Sequence, residues 1–270
     1  MTVCRPALLA LLTLAVPAAS AQTEAEITHW TTGVGRMLAG YYAALGVAEG
    51  EVGDRGGVVP DLYAGGPYDD GWAFSFGALE GDSVFVIDYG VIVAGDGSVT
   101  SFEAFTARRE ASPYHTMAAR ALAAVRADAA AFRQSRSEFA ADAYRAAVLP
   151  FPRGRVTAFV SPAQTRPGVT LMGNDLMYTL DRAELQPDEP TRFHHRLMPM
   201  PLEAPPGGFV ALLVPGAPLP SPIDVLNAIE RRSPLVMAAG RGVYLVGADG
   251  SIERLADDDP RAEAARRAVE

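Results

Sequence analysis

The chain has no lysine: all 23 of its basic residues are arginine. That excludes a Ser-x-x-Lys catalytic pair and a phosphate loop ending in Gly-Lys. Alanine, glycine, proline and arginine are plentiful, which is the pattern of a GC-rich genome rather than of a demand for guanidinium groups. Cysteine is almost missing too. The single Cys4 precedes an apolar N-terminal run. A mature chain starting beyond it has no thiol nucleophile and no disulfide, so chain length has to supply the stability. No Gly-x-Ser-x-Gly and no Gly-x-Gly-x-x-Gly occurs. No window reaches 18 apolar residues, so no transmembrane anchor is expected. An excess of positive charge is also lacking. The formal net charge is −9, which disfavours nucleic acid and anionic membrane surfaces as partners.

What is present begins with a leader. Arg5 precedes the ten apolar residues ALLALLTLAV at 7–16, and Pro17 breaks the run. A span needs roughly 20 residues, so this run is too short to stay in a bilayer. Ala19-Ser20-Ala21 then offers a signal-peptidase site. Residues 1–21 read as a cleaved signal peptide, with Gln22 as the mature start and a periplasmic or secreted destination. The alternative is a buried N-terminal helix.

Ile27, Trp30, Val34, Met37, Leu38, Tyr41 and Leu45 recur at spacings of three and four. They predict an amphipathic helix over 25–45 that Gly46 ends. Residues 49–71 read as an ordered loop. WAFSF at 72–76 and the run 83–105 predict strands, with a hairpin at Asp96-Gly97. Ser112-Pro113 opens an alanine-rich helical segment read from Tyr114 to Leu149, either one helix or two split at RQSRSEF, 133–139. Its seam of Ala118, Leu122, Val125 and Ala129 faces either a partner helix or the protein's own sheet. LPFPRGR at 149–155 marks a boundary between a region 22–150 and a region 151–270.

The second region is again strand-rich. RVTAFV at 155–160 and VTLMGNDLMYTL at 169–180 read as strands, the latter as a hairpin at Gly173-Asn174. RFHHRLMPM at 192–200 reads as an edge strand, and GFVALLV at 208–214 as a central one. Ser221-Pro222-Ile223-Asp224 has the form of a helix capping box. Strands at 234–239 and 242–246, an Asp249-Gly250 turn and a frayed acidic tail complete the chain. The segments 91–102 and 244–255 resemble each other, which two Asp-Gly hairpins explain. The fold class is α+β: two strand-rich halves, an N-terminal amphipathic helix and a long central alanine-rich helix.

Candidate chemistry is sparse. Histidines His115, His194 and His195 are possible metal ligands, but neighbours on a strand point to opposite faces, so one metal does not take His194 and His195 together. Asp69 and Asp70, in a glycine-rich loop, are candidate calcium ligands or a solvated turn. No cofactor is implied, and no catalytic residue is assigned.

VALLVPGAPLPSPIDVLNAI, at 210–229, resembles a stretch of the JAMM/MPN metallopeptidases. That family presents His-x-His-Pro at a strand end and Ser-x-x-Asp about seven residues later. Ser221 and Asp224 match the second element and Pro215 the proline. Leu212 and Val214 stand where the zinc-binding histidines would be, the spacing is one residue short, and no general-base glutamate is identifiable. The resemblance covers about 45 residues and implies a fold that has lost its zinc chemistry. The capping box explains Ser221 and Asp224 without it. The overall layout is also similar to uncharacterised exported proteins of proteobacteria. Together these point to a non-catalytic exported protein that binds an unknown protein or small-molecule partner; the alternative is a hydrolase.

The leader sets a direct expectation. Mass spectrometry of the protein from a Gram-negative host's periplasm should show a chain starting at Gln22. A folded cytosolic protein with Met1 attached would contradict it.

Overall fold

The computed structural model describes residues 23–81, 83–134, 144–150, 155–163, 169–194, 198–201, 210–213 and 217–267. The leader and His195 lie outside them. Mixed α+β architecture is what the chain adopts.

Helix α1 (Glu24–Asp54) starts at a capping box in which Thr23 and Glu26 exchange side-chain and backbone bonds. It runs past Gly46, contrary to the expected stop. Leu45, Ala48 and Val52 continue the buried stripe of Val34, Leu38 and Tyr41. Their burial outweighs the cost of about 1 kcal/mol for one helical glycine. The chain turns only at Arg55 and Gly56, the latter with φ +77.

Strands β1 (Leu62–Tyr68), β2 (Gly71–Glu80), β3 (Val84–Val93) and β4 (Val99–Ala104) form an antiparallel meander. β1 occupies part of the region read as loop. Its Gly65 and Gly66 weaken the strand signal, yet they are what the packing requires. A Cβ at Gly65 would collide with the Phe74 ring, and one at Gly66 would come within 2.8 Å of the Tyr114 ring. Helix α2 (Pro113–Gln134) lies against this sheet. Ser112 caps it, its Oγ accepting from the His115 N–H. The seam of Ala118, Leu122, Val125 and Ala129 is buried in the protein's own core, not presented to a partner helix.

The central helix is shorter than expected. Tyr144–Pro150 is strand β5, paired along its length with β6 (Arg155–Pro162). Ala146, Ala147, Val148 and Leu149 are all buried, which a strand covered on both faces achieves. Here tertiary pairing overrides alanine's helix propensity. The segment LPFPRGR connects these two strands, and a single core cluster draws residues from both sides of it. The second sheet has the order β5-β6-β8-β9, with β8 at Leu176–Asp181 and β9 at Thr191–Arg192.

Two other strand expectations fail together. β7 (Val169–Met172) does not form a hairpin with β8. It pairs with β10 (Met198–Pro201), while Gly173 (φ +95) and Asn174 (φ +57) turn the chain into the neighbouring sheet. The segment 192–200 accordingly divides between β9 and β10, with His194 between them.

The last sheet has the order β11-β12-β13-β14: Val210–Leu213, Leu235–Ala239, Gly242–Val246 and Ile252–Arg254. β11 is an edge strand, not a central one. It runs parallel to β12, and helix α3 (Pro222–Arg231) makes the crossover such a pair needs. Leu235 and Met237 face α3, while Val236 and Val243 face helix α4 (Pro260–Arg267). The tail through Arg267 is thus not frayed: Ala262 and Ala265 are fully buried; residues 268–270 lie outside the described residues. Among the described residues no helix is long and apolar enough to cross a membrane.

α3 also crosses α1 at Gly35, where an added Cβ would collide with Val225 and come within 2.8 Å of the Pro222 carbonyl oxygen. Gly46 is exposed, with open space around it. Gly35→Ala should therefore lower stability to urea by about 1–3 kcal/mol through overpacking. Gly46→Ala should raise it by about 0.5–1 kcal/mol. Equal shifts for the two variants would contradict this crossing.

Candidate ligand pocket and the buried histidine behind it

The residues before and within α3 build the first part of the site. Proline at the first helical position fits its fixed φ, and Ser221 caps the helix. The Ser221 N–H and Oγ–H each donate to Asp224 Oδ2 at 2.7 Å, and the Asp224 N–H donates back to Ser221 Oγ at 3.3 Å. This is the capping box read from the sequence.

Asp224 also has a role that the sequence does not reveal. Its other oxygen, Oδ1, forms an ion-pair contact of 3.0 Å with His194 Nε2. On the far side of the ring, His194 Nδ1 donates to Asp175 Oδ2 at 2.6 Å. Asp175, His194 and Asp224 are all buried, exposed by 4 % or less. The order is therefore Ser221, Asp224, His194, Asp175. Burial pushes the His194 pKa down, but the carboxylates on its two sides outweigh that and hold it well above 6.5. Burial would raise Asp224, yet the imidazolium and the Ser221 donors keep it below its ordinary value. The ring lies between two carboxylates, which favour its charged imidazolium form. In that form both nitrogens carry protons, Nδ1 hydrogen bonded to Asp175 and Nε2 facing Asp224 Oδ1 at 3.0 Å without a hydrogen bond.

A second ionic anchor sits at the other end of α3. Arg145 of β5 makes a bidentate pair with Glu230 at 2.6 and 2.7 Å, and its guanidinium lies 4.0 Å from the centre of the Tyr42 ring on α1.

The other candidates are scattered. Asp69 (φ +48) and Asp70 are exposed at the β1–β2 turn. His115 lies at the start of α2, hydrogen bonded through Nδ1 to Ser75 Oγ at 2.8 Å, and burial lowers its pKa. Ser75 sits within β2 and is 6 % exposed. This serine–histidine pair has no carboxylate to orient the ring among the described residues. Nor do they include a group of three or more His, Cys, Asp or Glu placed to hold a metal. Leu212 lies on β11; Val214 is outside the described residues.

Two concavities among the described residues are relevant to binding. An open cleft of about 650 Å³ lies between the start of α1 and strands β13 and β14. Part of its polar wall is already paired: Tyr244 Oη donates to Glu24 at 3.0 Å, and Arg36 Nε donates to the Asp249 carbonyl at 2.9 Å. The other is a more enclosed pocket of about 400 Å³. Ile27 and Trp30 of α1, Phe193 after β9, and Leu219 before α3 give it apolar walls. Ser221 and Asp224 also line it, so the buried ionic chain reaches the pocket wall. Trp30 Nε1 is buried without a hydrogen-bond partner. An apolar hollow with a few placed polar groups is the usual form of a small-molecule site, which makes this pocket the better candidate. Sequence reasoning placed Trp30 on a core face and had no signal for the pocket.

No protein-family model, curated protein or solved structure matches the chain.

The clamp carries a signed pH dependence. His194→Gln leaves two buried carboxylates without their cation and should cost about 3–5 kcal/mol in urea denaturation. The raised histidine contributes fully below about pH 6.5 and loses its contribution as pH rises through its folded-state value. The lowered Asp224 contributes above about pH 3.8 and loses it in acid. The gap between wild type and variant should be widest between these limits and narrow on either side. A gap that stays constant with pH would contradict the clamp.

Proposed function

We propose that this protein is an exported, non-catalytic binding protein whose ligand occupies the pocket between α1 and the start of α3. The observation that carries this reading is the 400 Å³ hollow with apolar walls and an unpartnered indole N–H. A buried donor without an acceptor is costly, and a ligand oxygen or nitrogen would satisfy it.

Export rests on the leader: Arg5, the apolar run at 7–16 and the Ala19-Ser20-Ala21 site. The lack of catalysis rests on wiring. Acyl transfer needs a hydroxyl whose proton passes to histidine, with a carboxylate on the other ring nitrogen. Here Ser221 gives its proton to Asp224, and His194 has carboxylates on both nitrogens. The likeness to the JAMM/MPN family brings no zinc chemistry to this reading. Leu212 cannot bind a metal, and Asp224 is committed to His194 and Ser221.

The test uses N-phenylnaphthylamine, a neutral apolar fluorophore. Titration into the mature protein should give saturable, one-to-one fluorescence enhancement. Ile27→Trp, which fills the pocket from the α1 side, should abolish it while leaving the circular dichroism spectrum and thermal midpoint close to wild type. Absence of saturable binding, or binding that Ile27→Trp leaves intact, would overturn the proposal.

A further inference from the structure

The groups lining this pocket differ in what they still lack. Asp224 is its one lining carboxylate, and its charge is offset from within the protein. One oxygen takes two Ser221 donors, and the other faces the His194 imidazolium. No other acidic residue lines the pocket. Two arginines do, Arg192 and Arg241. Arg241 belongs to the turn between β12 and β13, and its backbone N–H donates to the Pro218 carbonyl at 3.2 Å. Its side chain is exposed and makes no ion pair or hydrogen bond among the described residues. The anchored backbone fixes where this guanidinium leaves the chain, beside the prolines that lead into α3.

Apart from Asp224 Oδ1, which has His194 beside it at 3.0 Å but no hydrogen bond, what remains unmet is of one kind. Trp30 Nε1 and the Arg241 guanidinium are both donors, and one of them carries a full positive charge. The chain as a whole has a net charge of −9, so a local excess of cation at this opening runs against the molecule's general field. Complementarity to such a lining requires two things of the ligand. It needs an apolar body to lie between Ile27, Trp30, Phe193 and Leu219. It also needs an anionic, acceptor-only head at the arginine edge.

We infer that the pocket takes an apolar carboxylic acid, with its carboxylate at Arg241 and its hydrocarbon part against Trp30 and Phe193. This inference rests on the binding-protein reading and specifies the ligand class for that same site. Because the head stays at the solvent edge, the charge keeps part of its hydration, and only the hydrocarbon part is taken out of water. Arg241 then sets preference between ligands, while the apolar walls set the affinity common to all of them.

The experiment compares probes of equal chain length: decanoate, decanol and decyltrimethylammonium, each competing against N-phenylnaphthylamine on the mature protein. Decanoate should bind about tenfold more tightly than decanol, the amount expected of one charge-assisted contact at a partly exposed edge. Decyltrimethylammonium should bind more weakly than either. The decanoate preference should shrink as salt is added. In Arg241→Gln it should disappear while decanol affinity stays unchanged. Equal or tighter binding of the cationic probe would overturn the inference but leave the pocket reading standing. A decanoate preference that survives Arg241→Gln would overturn the placement of the carboxylate at Arg241. Failure of all three probes and of N-phenylnaphthylamine to bind would overturn both.

Discussion

One imidazole ring ties together three parts of the chain that are far apart in sequence. Asp175 immediately precedes β8, His194 follows β9 and Asp224 sits in the first turn of α3. Each of these groups is costly to bury alone, by several kcal/mol for a full charge. The arrangement holds only if the carboxylates and the ring are charged together and stay in register. Phe193 is the residue before His194, and Leu219 lies just before Ser221, so both pocket walls are attached to the clamp. The start of α3 is held by the same aspartate that caps it, through its other oxygen. At the other end of the helix the Arg145–Glu230 pair adds a second tether. Between the two, Gly35 lets α1 approach closely enough for its Ile27 and Trp30 to close the pocket.

This geometry also separates residue type from residue role. Serine, histidine and two aspartates stand together, which is the composition of a hydrolase centre. Their order is not that of one. The Ser221 hydroxyl donates to a carboxylate and not to the histidine that takes the proton in acyl transfer, and a protonated histidine cannot act as a base. The Ser75–His115 pair shows the reverse defect: the bond is of the right kind, but the serine is held within a strand and the ring lacks an orienting carboxylate.

Local rules made part of the fold legible. Ser221-Pro222-Ile223-Asp224, Ser112-Pro113 and the Asp96-Gly97 and Asp249-Gly250 turns all form where their short-range chemistry points. In both turns the aspartate accepts from the serine two residues on. The α2 seam was readable because helical spacing selects one face. What could not be read was decided by partners distant in sequence. Tyr144–Pro150 becomes a strand because β6 is beside it, despite its alanines. β7 leaves β8 for β10 because the Gly173-Asn174 turn redirects the chain. β11 is apolar at an edge because the α3 crossover places it there. The site was legible in fragments: His194 as a residue of interest, Asp224 as a cap. The contact between them spans 30 residues, and Asp175 gave no local signal at all.

Nitrogen-15 NMR of the His194 side chain is the most direct test of the clamp. At about pH 7.5, a unit above the ordinary histidine value, both ring nitrogens should carry a proton and show imidazolium shifts, with no titration through the ordinary histidine range. A ring that is neutral there, with one nitrogen bare, or that titrates near its ordinary value, would contradict the clamp. It would also return His194 to the list of available bases.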